Sequence, residues 1–286
     1  PSLRVTVGEG GRILGVCRVG CPQADVLAAA DLTFKDLFAP PGETPAEALT
    51  LASVEYDNHD LGFHSAVYTR LLKGTELVYA HRQHLLARGI PDAWITTAGY
   101  SSLFPIDMHN AARELHDRYG DALFTVPGFK ERADGGPAFR CDYSGIVIPI
   151  RDASGRIVSI KTRRLAPDGP KYLAWGPATA HVPLHDPAIQ HLILRVTEGE
   201  LKADVATALT GILTISAPGV TNWRTTLPAI KALGGPLEII LAFDWPDVQS
   251  KPEVRVQTEA FRRELILLGH NVSLETWDIA NKGIDD

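Results

Sequence analysis

The sequence predicts an α/β protein whose C-terminal third is a parallel sheet flanked by helices. From His191 onward, apolar runs that suit strands alternate with amphipathic helical segments. The strand runs are continuously apolar, which is typical of parallel strands buried on both faces. Before this region, residues 145–163 show the pattern of a β-hairpin, and residues 44–119 show helical periodicity.

Composition limits the class of protein. The chain has 286 residues, enough for two or three packed units, and 45% of them are hydrophobic, as in ordinary globular proteins. No apolar run approaches the roughly 18 residues of a membrane span, so we expect no membrane partner. Three cysteines are too few for a disulfide framework and favour a cytoplasmic location. Because the sequence begins with Pro1, we expect it to start inside a longer protein.

The N-terminal segment combines a hairpin pattern with two cysteines. Residues 4–16 alternate around Gly10-Gly11, and Pro22 opens a helix predicted over 23–30. Cys17 and Cys21 are spaced C-x3-C, which suits half of a tetrahedral zinc site but leaves two ligands to be found. A cluster of prolines and glycine near residue 40 ends this segment.

The helical region contains several histidines. His81 and His84 fall one helical turn apart, as metal ligands can. Because no carboxylate completes a recognisable ligand motif, we expect solvent-facing or core roles for both.

The hairpin that follows is rich in basic residues. Asp152-Ala153-Ser154-Gly155 forms its turn, and alternation places Lys161 and Arg163 on one face of the second strand. The net charge of −6 does not by itself indicate nucleic-acid binding. This basic stretch is compatible with an enzyme that holds a polyanion, but charge alone favours ordinary solvated surfaces.

Acidic residues follow the strands of the predicted parallel sheet. Glu198 follows the first strand, Asp244 and Asp247 follow the third, and Asp285 lies beyond the fourth. Because the C-terminal ends of parallel strands share one edge, these carboxylates should converge there, and Mg²⁺ or Mn²⁺ would neutralise them. The alternative is that Glu198 and Asp244 only cap the helices that follow.

These motifs resemble the Toprim domain shared by bacterial DnaG-type primases, type IA and II topoisomerases and some nucleases. Glu198-Gly199 before a helix and Asp244 at the end of a later strand match its metal-binding Glu and first Asp. The family usually spaces its Asp pair as D-x-D, whereas Pro246 stands between here, so Asp247 would serve through a one-residue insertion. Lys202 also departs from the family, because primases usually have an Asp at that point.

The region before the sheet resembles DnaG-type primases, closest to those of phages and plasmids. The match lies in three short motifs: Pro149-Ile150-Arg151-Asp152, Gly155-Arg156-Ile157-Val158 and Pro170-Lys171-Tyr172-Leu173. Lys282-Gly283-Ile284-Asp285 resembles their later acidic motif, and Cys17 to Phe38 the second half of their zinc finger. The resemblance therefore implies Zn²⁺ on Cys17 and Cys21 in the intact protein. It also implies nucleotide or template contacts from five basic residues and one tyrosine: Lys161, Arg163, Arg164, Lys171, Lys202 and Tyr172.

The patterns and the family resemblance together imply four segments and one activity. The segments are a zinc-finger remnant (1–42), a helical region (43–126), a small basic α+β subdomain (127–190) and a Toprim catalytic domain (191–286). The implied activity is synthesis of short RNA primers from ribonucleoside triphosphates on single-stranded DNA, in a mobile element and with a possible helicase partner. The alternatives are a Toprim nuclease and a non-catalytic DNA-binding module that recruits a helicase. A topoisomerase is disfavoured because no tyrosine lies in an evident strand-passage domain.

Overall fold

The structure, a computed structural model, describes residues 3–7, 13–17, 58–139, 144–166, 169–278 and 283–284. The chain divides into two compact units, residues 1–56 and 57–286. In the first unit, β1 (Leu3–Val7) pairs antiparallel with β2 (Ile13–Cys17), which confirms the predicted hairpin. The predicted helix 23–30 and Cys21 lie outside the described residues.

The second unit begins with four helices. They are α1 (Asn58–Lys73), α2 (Tyr79–Ala87), α3 (Asp92–Ala98) and α4 (Pro105–Tyr119), the last followed by a 3-10 helix, Gly120–Thr125. A short strand that the helical pattern does not predict, β3 (Ser101–Leu103), lies between α3 and α4. No helix in the described parts of the chain is long and apolar enough to cross a bilayer.

The strand β3 joins an antiparallel sheet that contains the predicted hairpin. The other strands are β6 (Gly145–Arg151), β7 (Ile157–Arg163) and β8 (Tyr172–Ala174), in the order β3-β6-β7-β8. A separate small hairpin pairs β4 (Phe129–Glu131) with β5 (Pro137–Phe139). Strand β6 is buried throughout, because Val147 packs on a core that includes α1 and α4 while Ile146 and Ile148 pack on the opposite core.

Two observations bear on the predicted segments, whose bounds remain a prediction. The two compact units divide after Tyr56, whereas the first predicted segment ends at residue 42. Ser101 to Leu103 also pair with Gly145 to Val147, so part of the segment 43–126 is hydrogen-bonded into the segment 127–190. The sequence pattern missed this because a three-residue strand is too short to show alternation.

The C-terminal region forms the predicted parallel sheet. Its strands are β9 (Ile193–Glu198), β10 (Thr214–Ala217), β11 (Glu238–Leu241) and β12 (Asn271–Leu274). They are all parallel, in the order β10-β9-β11-β12. The connecting helices are α5 (Glu200–Thr210), a 3-10 turn (Val220–Thr226), α6 (Leu227–Ala232), α7 (Trp245–Ser250) and α8 (Pro252–Leu267).

Apolar packing fixes this sheet between its helices. The rings of Trp223 and Phe261 stack with centroids 4.9 Å apart, and Phe243 lies 6.3 Å from Phe261. In a separate hydrophobic core, Leu201 and Val205 of α5 pack with the side chains of Ile146 and Ile148 of β6. Helix α5 therefore belongs both to the parallel sheet that it follows and to the core beneath the antiparallel sheet.

A buried carboxylate on α5 supplements this packing with hydrogen bonds. Asp204 is buried and accepts hydrogen bonds from the Tyr100 hydroxyl and, at 3.3 Å, from the indole N–H of Trp94. The Nε2 of His181 lies 3.4 Å from the same carboxylate. Burial, together with the charge of Asp204, raises the pKa of Tyr100 well above 10.0 and keeps its hydroxyl a donor.

Removing this carboxylate should destabilise the fold strongly. Asp204→Ala leaves the buried donors of Trp94 and Tyr100 without their acceptor, so we expect the free energy of unfolding to fall by about 3 kcal/mol or more. Urea denaturation followed by circular dichroism measures this change. Glu259→Ala is the control, because Glu259 pairs with Arg262 on an exposed helix face and should cost no more than about 1 kcal/mol. Equal losses in the two variants would contradict a structural role for the Asp204 cluster.

Candidate functional site

Strand β9 delivers Glu198 to the C-terminal edge of the parallel sheet. Glu198 is the last residue of β9, and the neighbouring strand β11 ends at Leu241, three residues before Asp244. The two strands run parallel, with Val196 opposite Leu241, so both acids emerge at the same edge. After Glu198 the chain turns directly into α5 through Gly199, whose φ of 86° suits glycine.

Helix α7 brings the second aspartate to the same place. Asp244 stands immediately before α7, and Asp247 lies in its first turn, so one helical turn separates them despite the inserted residue. One carboxylate oxygen from each of Glu198, Asp244 and Asp247 lies within 4.8 Å of the others. The helix α7 was not predicted from the sequence, and it is the element that orients Asp247.

The structure does not support helix capping as the role of these acids. The residue at the N-cap of α5 is Gly199, so Glu198 lies outside the capping position. Asp244 occupies the N-cap of α7, but its side chain makes no capping hydrogen bond. Both carboxylates point into the acidic cluster, where they are close enough to repel each other.

Burial and charge repulsion govern the electrostatics of the cluster. Burial raises the pKa of Glu198 above 4.5, and the nearby charge of Asp244 raises it further. A lysine lies beside each of the two aspartates, and the charge of Lys202 also lowers the pKa of Glu198. Lys202 of α5 forms an ion pair with Asp244, and Lys251 lies 2.7 Å from Asp247.

The donor set fits a hard divalent cation. The ligand atoms are all carboxylate oxygens, which Mg²⁺ and Mn²⁺ prefer and Zn²⁺ does not. Oxygens around an octahedral Mg²⁺ lie about 3 to 4 Å apart, so a separation of up to 4.8 Å closes with small side-chain rotations. Glu198, Asp244 and Asp247 are therefore the residues that could hold a metal.

A polar cavity of about 380 Å³ opens beside the acids. One side is formed by Glu198, Asp244 and the loop after β10, including Pro218 and Gly219. The rest of the lining forms a basic side, with cations from the end of α2 and from the antiparallel sheet. These cations are Arg88, Lys161 and Lys171, while Lys202 of α5 lines the cavity beside Asp244.

On this basic side, three cationic side chains lie close to the ring of Tyr172. Its ring is 36% exposed and has the charged groups of Lys161, Arg163 and Lys171 at 5.6, 5.3 and 5.9 Å from its centroid. Arg163 itself is only 6% exposed, and it donates hydrogen bonds to the Tyr172 hydroxyl and, at 3.0 Å, to Nε2 of His84. Burial, followed by the charge of Arg163, lowers the pKa of His84, which keeps the imidazole a neutral acceptor.

The remaining predicted residues occupy varied positions. Lys161 is tied to the buried Glu200 by an ion pair, and Lys171 is exposed at the cavity. Arg164 is half-buried just after β7, where its backbone N–H donates to the carbonyl of Lys171 at 2.9 Å. Asp285 lies outside the described residues, and so does Cys21, while Cys17 ends β2.

Sequence reasoning missed three residues that line or support the cavity. Glu200 binds Lys161, His84 supports Arg163, and Arg88 contributes a guanidinium at the end of α2. Glu200 could have been recognised, because it stands four residues before Asp204 on one face of a helix that is otherwise apolar there. His84 and Arg88 also stand four residues apart, but only the tertiary fold shows that they face the hairpin.

Comparisons with known proteins concern the fold. A family model described as a domain of unknown function, DUF3854, matches residues 187–286, which include the whole parallel sheet. No curated protein matches the sequence.

Several solved primase structures have a fold similar to that of this chain. The Aquifex aeolicus primase, with its zinc-binding and RNA polymerase domains, matches with a TM-score of 0.63 and 13% identity over 95% of this chain and 66% of that one. A DnaG primase catalytic domain bound to single-stranded DNA matches with a TM-score of 0.58 and 18% identity, over 78% and 76%. The RNA polymerase domain of Mycobacterium tuberculosis DnaG matches with a TM-score of 0.57 and 17% identity, over 78% of each chain. The chain therefore has the fold of bacterial DnaG primase catalytic domains.

Proposed function

We propose that this chain carries a Toprim-type, metal-dependent catalytic core that synthesises RNA primers on single-stranded DNA. The observation that carries the proposal is the meeting of Glu198, Asp244 and Asp247 within 4.8 Å at the C-terminal edge of the parallel sheet. The primase-like fold supports it, and so do the cations that line the same cavity as Glu198 and Asp244.

Glu198, Asp244 and Asp247 would hold one or two divalent cations. When bound, Mg²⁺ or Mn²⁺ supplies charge neutralisation for a triphosphate and acidifies the attacking 3′-hydroxyl. The protein's own contribution is to orient the carboxylates before the substrate arrives, through the end of β9 and the first turn of α7. This orientation avoids a cost of reorganisation during the reaction.

The basic side of the cavity would bind the polyanionic substrates. Lys161 and Lys171 face the cavity and suit phosphate oxygens of the incoming ribonucleoside triphosphate or the template. Tyr172 offers a half-exposed ring on which an unpaired base can stack. Arg163 would not contact the substrate directly, because its guanidinium is buried and donates a hydrogen bond to the Tyr172 hydroxyl. Its role would be to hold the Tyr172 ring in place. Arg164 follows on the same chain segment, where its backbone N–H donates to the carbonyl of Lys171, and its guanidinium would add to the positive charge of this region.

The wider context of the proposal follows from the family resemblance. A phage- or plasmid-type primase would use Cys17 and Cys21 for Zn²⁺ in the intact protein and Asp285 as a further acid of the metal centre. It would work in replication of a mobile element, in the cytoplasm and with a replicative helicase. The aspartate pair separated by two residues is accommodated by α7, which makes the insertion compatible with a working site.

Loss of the central carboxylate should abolish primer synthesis. Asp244→Asn removes one negative ligand, so we expect the rate of primer formation on single-stranded DNA, with Mg²⁺ and ribonucleoside triphosphates, to fall by about a hundredfold or more. Denaturing gel electrophoresis of labelled products measures this rate. Asp117→Asn, on the exposed face of α4, is the matched control and should keep the rate. Undiminished synthesis by Asp244→Asn would refute the assignment, and Mg²⁺-dependent cleavage of the template without synthesis would favour a nuclease.

Loss of a basic group at the cavity should weaken nucleic-acid binding through its charge. Lys171→Ala removes one expected phosphate contact, so the slope of log affinity for single-stranded DNA against log salt should become shallower by about 0.7. Fluorescence anisotropy at a series of salt concentrations gives this slope. Lys231→Ala, an exposed lysine in the last turn of α6, is the control and should leave the slope unchanged. The same slope for Lys171→Ala and the unmodified protein would exclude a phosphate contact from this residue.

A further inference from the structure

Lys202 is placed inside the acidic site and not on the protein surface. It lies on the first turns of α5, four residues after Glu198, and its ammonium group forms an ion pair with Oδ1 of Asp244. The side chain of Lys202 is 17% exposed, and that of Asp244 is 5% exposed. The charge of Lys202 also lowers the pKa of Glu198, which opposes the effect of burial on that carboxyl.

A second lysine near the same acids provides a comparison. Lys251 lies 2.7 Å from Asp247, but its side chain is 50% exposed and it sits four residues along the chain from its partner. Solvent screens such a pair, so it contributes little to the balance of charge. Lys202 is therefore the cation in the described residues that is buried with the acids, and its interaction with Asp244 is poorly screened.

A divalent cation and the ammonium of Lys202 compete for Asp244. A metal held by Glu198, Asp244 and Asp247 would stand a few ångströms from the ammonium, and two positive charges at that distance repel each other in a partly buried site. The ammonium group of Lys202 can move into the polar cavity when it leaves Asp244, because Lys202 lines this cavity together with Lys161 and Lys171. Lys161 also pairs with an acid, Glu200. Two lysine–carboxylate pairs, Lys161–Glu200 and Lys202–Asp244, therefore line the cavity.

We propose that Lys202 is an exchangeable counterion of the metal site. In the metal-free protein it neutralises Asp244, and when a divalent cation takes that carboxylate, Lys202 swings into the cavity and binds an oxygen of the substrate polyphosphate. This inference rests on the proposed function, since it assigns a role to Lys202 within the same metal site.

The exchange links metal binding to phosphate binding. Without a metal, Asp244 withholds Lys202 from the phosphate, and without a phosphate, the metal must displace Lys202 at an electrostatic cost. Each ligand therefore increases the affinity for the other, as reciprocal coupling requires. The polyphosphate chain of a ribonucleoside triphosphate carries both features that the exchange needs, because it coordinates a metal and accepts hydrogen bonds from an ammonium group.

The first test measures metal affinity without substrate. Lys202→Met removes the competing cation and keeps a helix-forming side chain, so we expect Mn²⁺ alone to bind about tenfold more tightly than to the unmodified protein, by calorimetry. Lys251→Met is the matched control, and its affinity should change by less than about threefold because that lysine is exposed. Lys202→Arg keeps the charge and should stay near the unmodified value. Mn²⁺ affinity that is unchanged or weaker in Lys202→Met overturns the inference.

The second test follows Lys202 itself in the unmodified protein. Brief acetylation by an amine-reactive reagent, quantified for each lysine by mass spectrometry, reports whether an ammonium group is engaged. We expect low labelling of Lys202 without metal, several-fold higher labelling with Mn²⁺, and renewed protection when inorganic tripolyphosphate is added with Mn²⁺ in excess. Labelling of Lys202 that does not respond to Mn²⁺ overturns the inference, whatever the variants show.

The two proposals fail in different ways. If neither the unmodified protein nor Lys202→Met binds Mn²⁺, the metal site itself is absent and both proposals fall. If Mn²⁺ binds to the unmodified protein, is lost in Asp244→Asn and is indifferent to Lys202→Met, the metal-dependent function stands and the exchange by Lys202 is wrong.

Discussion

The repulsion between carboxylates on neighbouring parallel strands is the constraint on which this site depends. Strands β9 and β11 are hydrogen-bonded side by side, so the sheet brings the backbones that carry Glu198 and Asp244 out at the same edge. Burial is the main cause of the raised pKa of Glu198, and repulsion from Asp244, which is stronger here than in water, raises it further. A cation nearby reduces this repulsion. Lys202 supplies that cation from within the chain.

Helix α5 links the acids to the rest of the molecule. Its polar residues have three sets of partners: Glu200 binds Lys161 of the hairpin, Lys202 binds Asp244, and Asp204 accepts hydrogen bonds from Tyr100 and Trp94. Between them, Leu201 and Val205 pack into the core under β6. A shift of this helix would therefore disturb the basic side of the cavity and the acidic cluster together. The position of the Lys161 side chain depends on the same helix as the charge balance at Asp244.

The sequence predicts the parallel sheet and its acidic edge well, and the surroundings of that edge poorly. Continuous apolar runs report burial on both faces, which is a local property, so β9 and β11 are recognisable without a structure. The placement of Asp247 depends on α7, a six-residue helix that begins with a tryptophan and a proline and has no periodicity to detect. Arg163 has a basic side chain on the predicted face, yet it is buried against His84, a partner 79 residues away. Contacts of this kind follow from tertiary packing and leave no mark on the local pattern.

The charge at the acidic edge has a consequence for how many metal ions it can hold. With Glu198 ionised, three carboxylates and the ammonium of Lys202 leave a formal charge of −2, because three negative charges are offset by one positive charge. One divalent cation balances that charge. An aspartate at position 202 would instead give four negative charges, which call for two divalent cations. Under the proposed function, the lysine would therefore favour a single resident metal, and a second metal would have to arrive with the negative charge of a polyphosphate, as Lys202 is drawn away from Asp244.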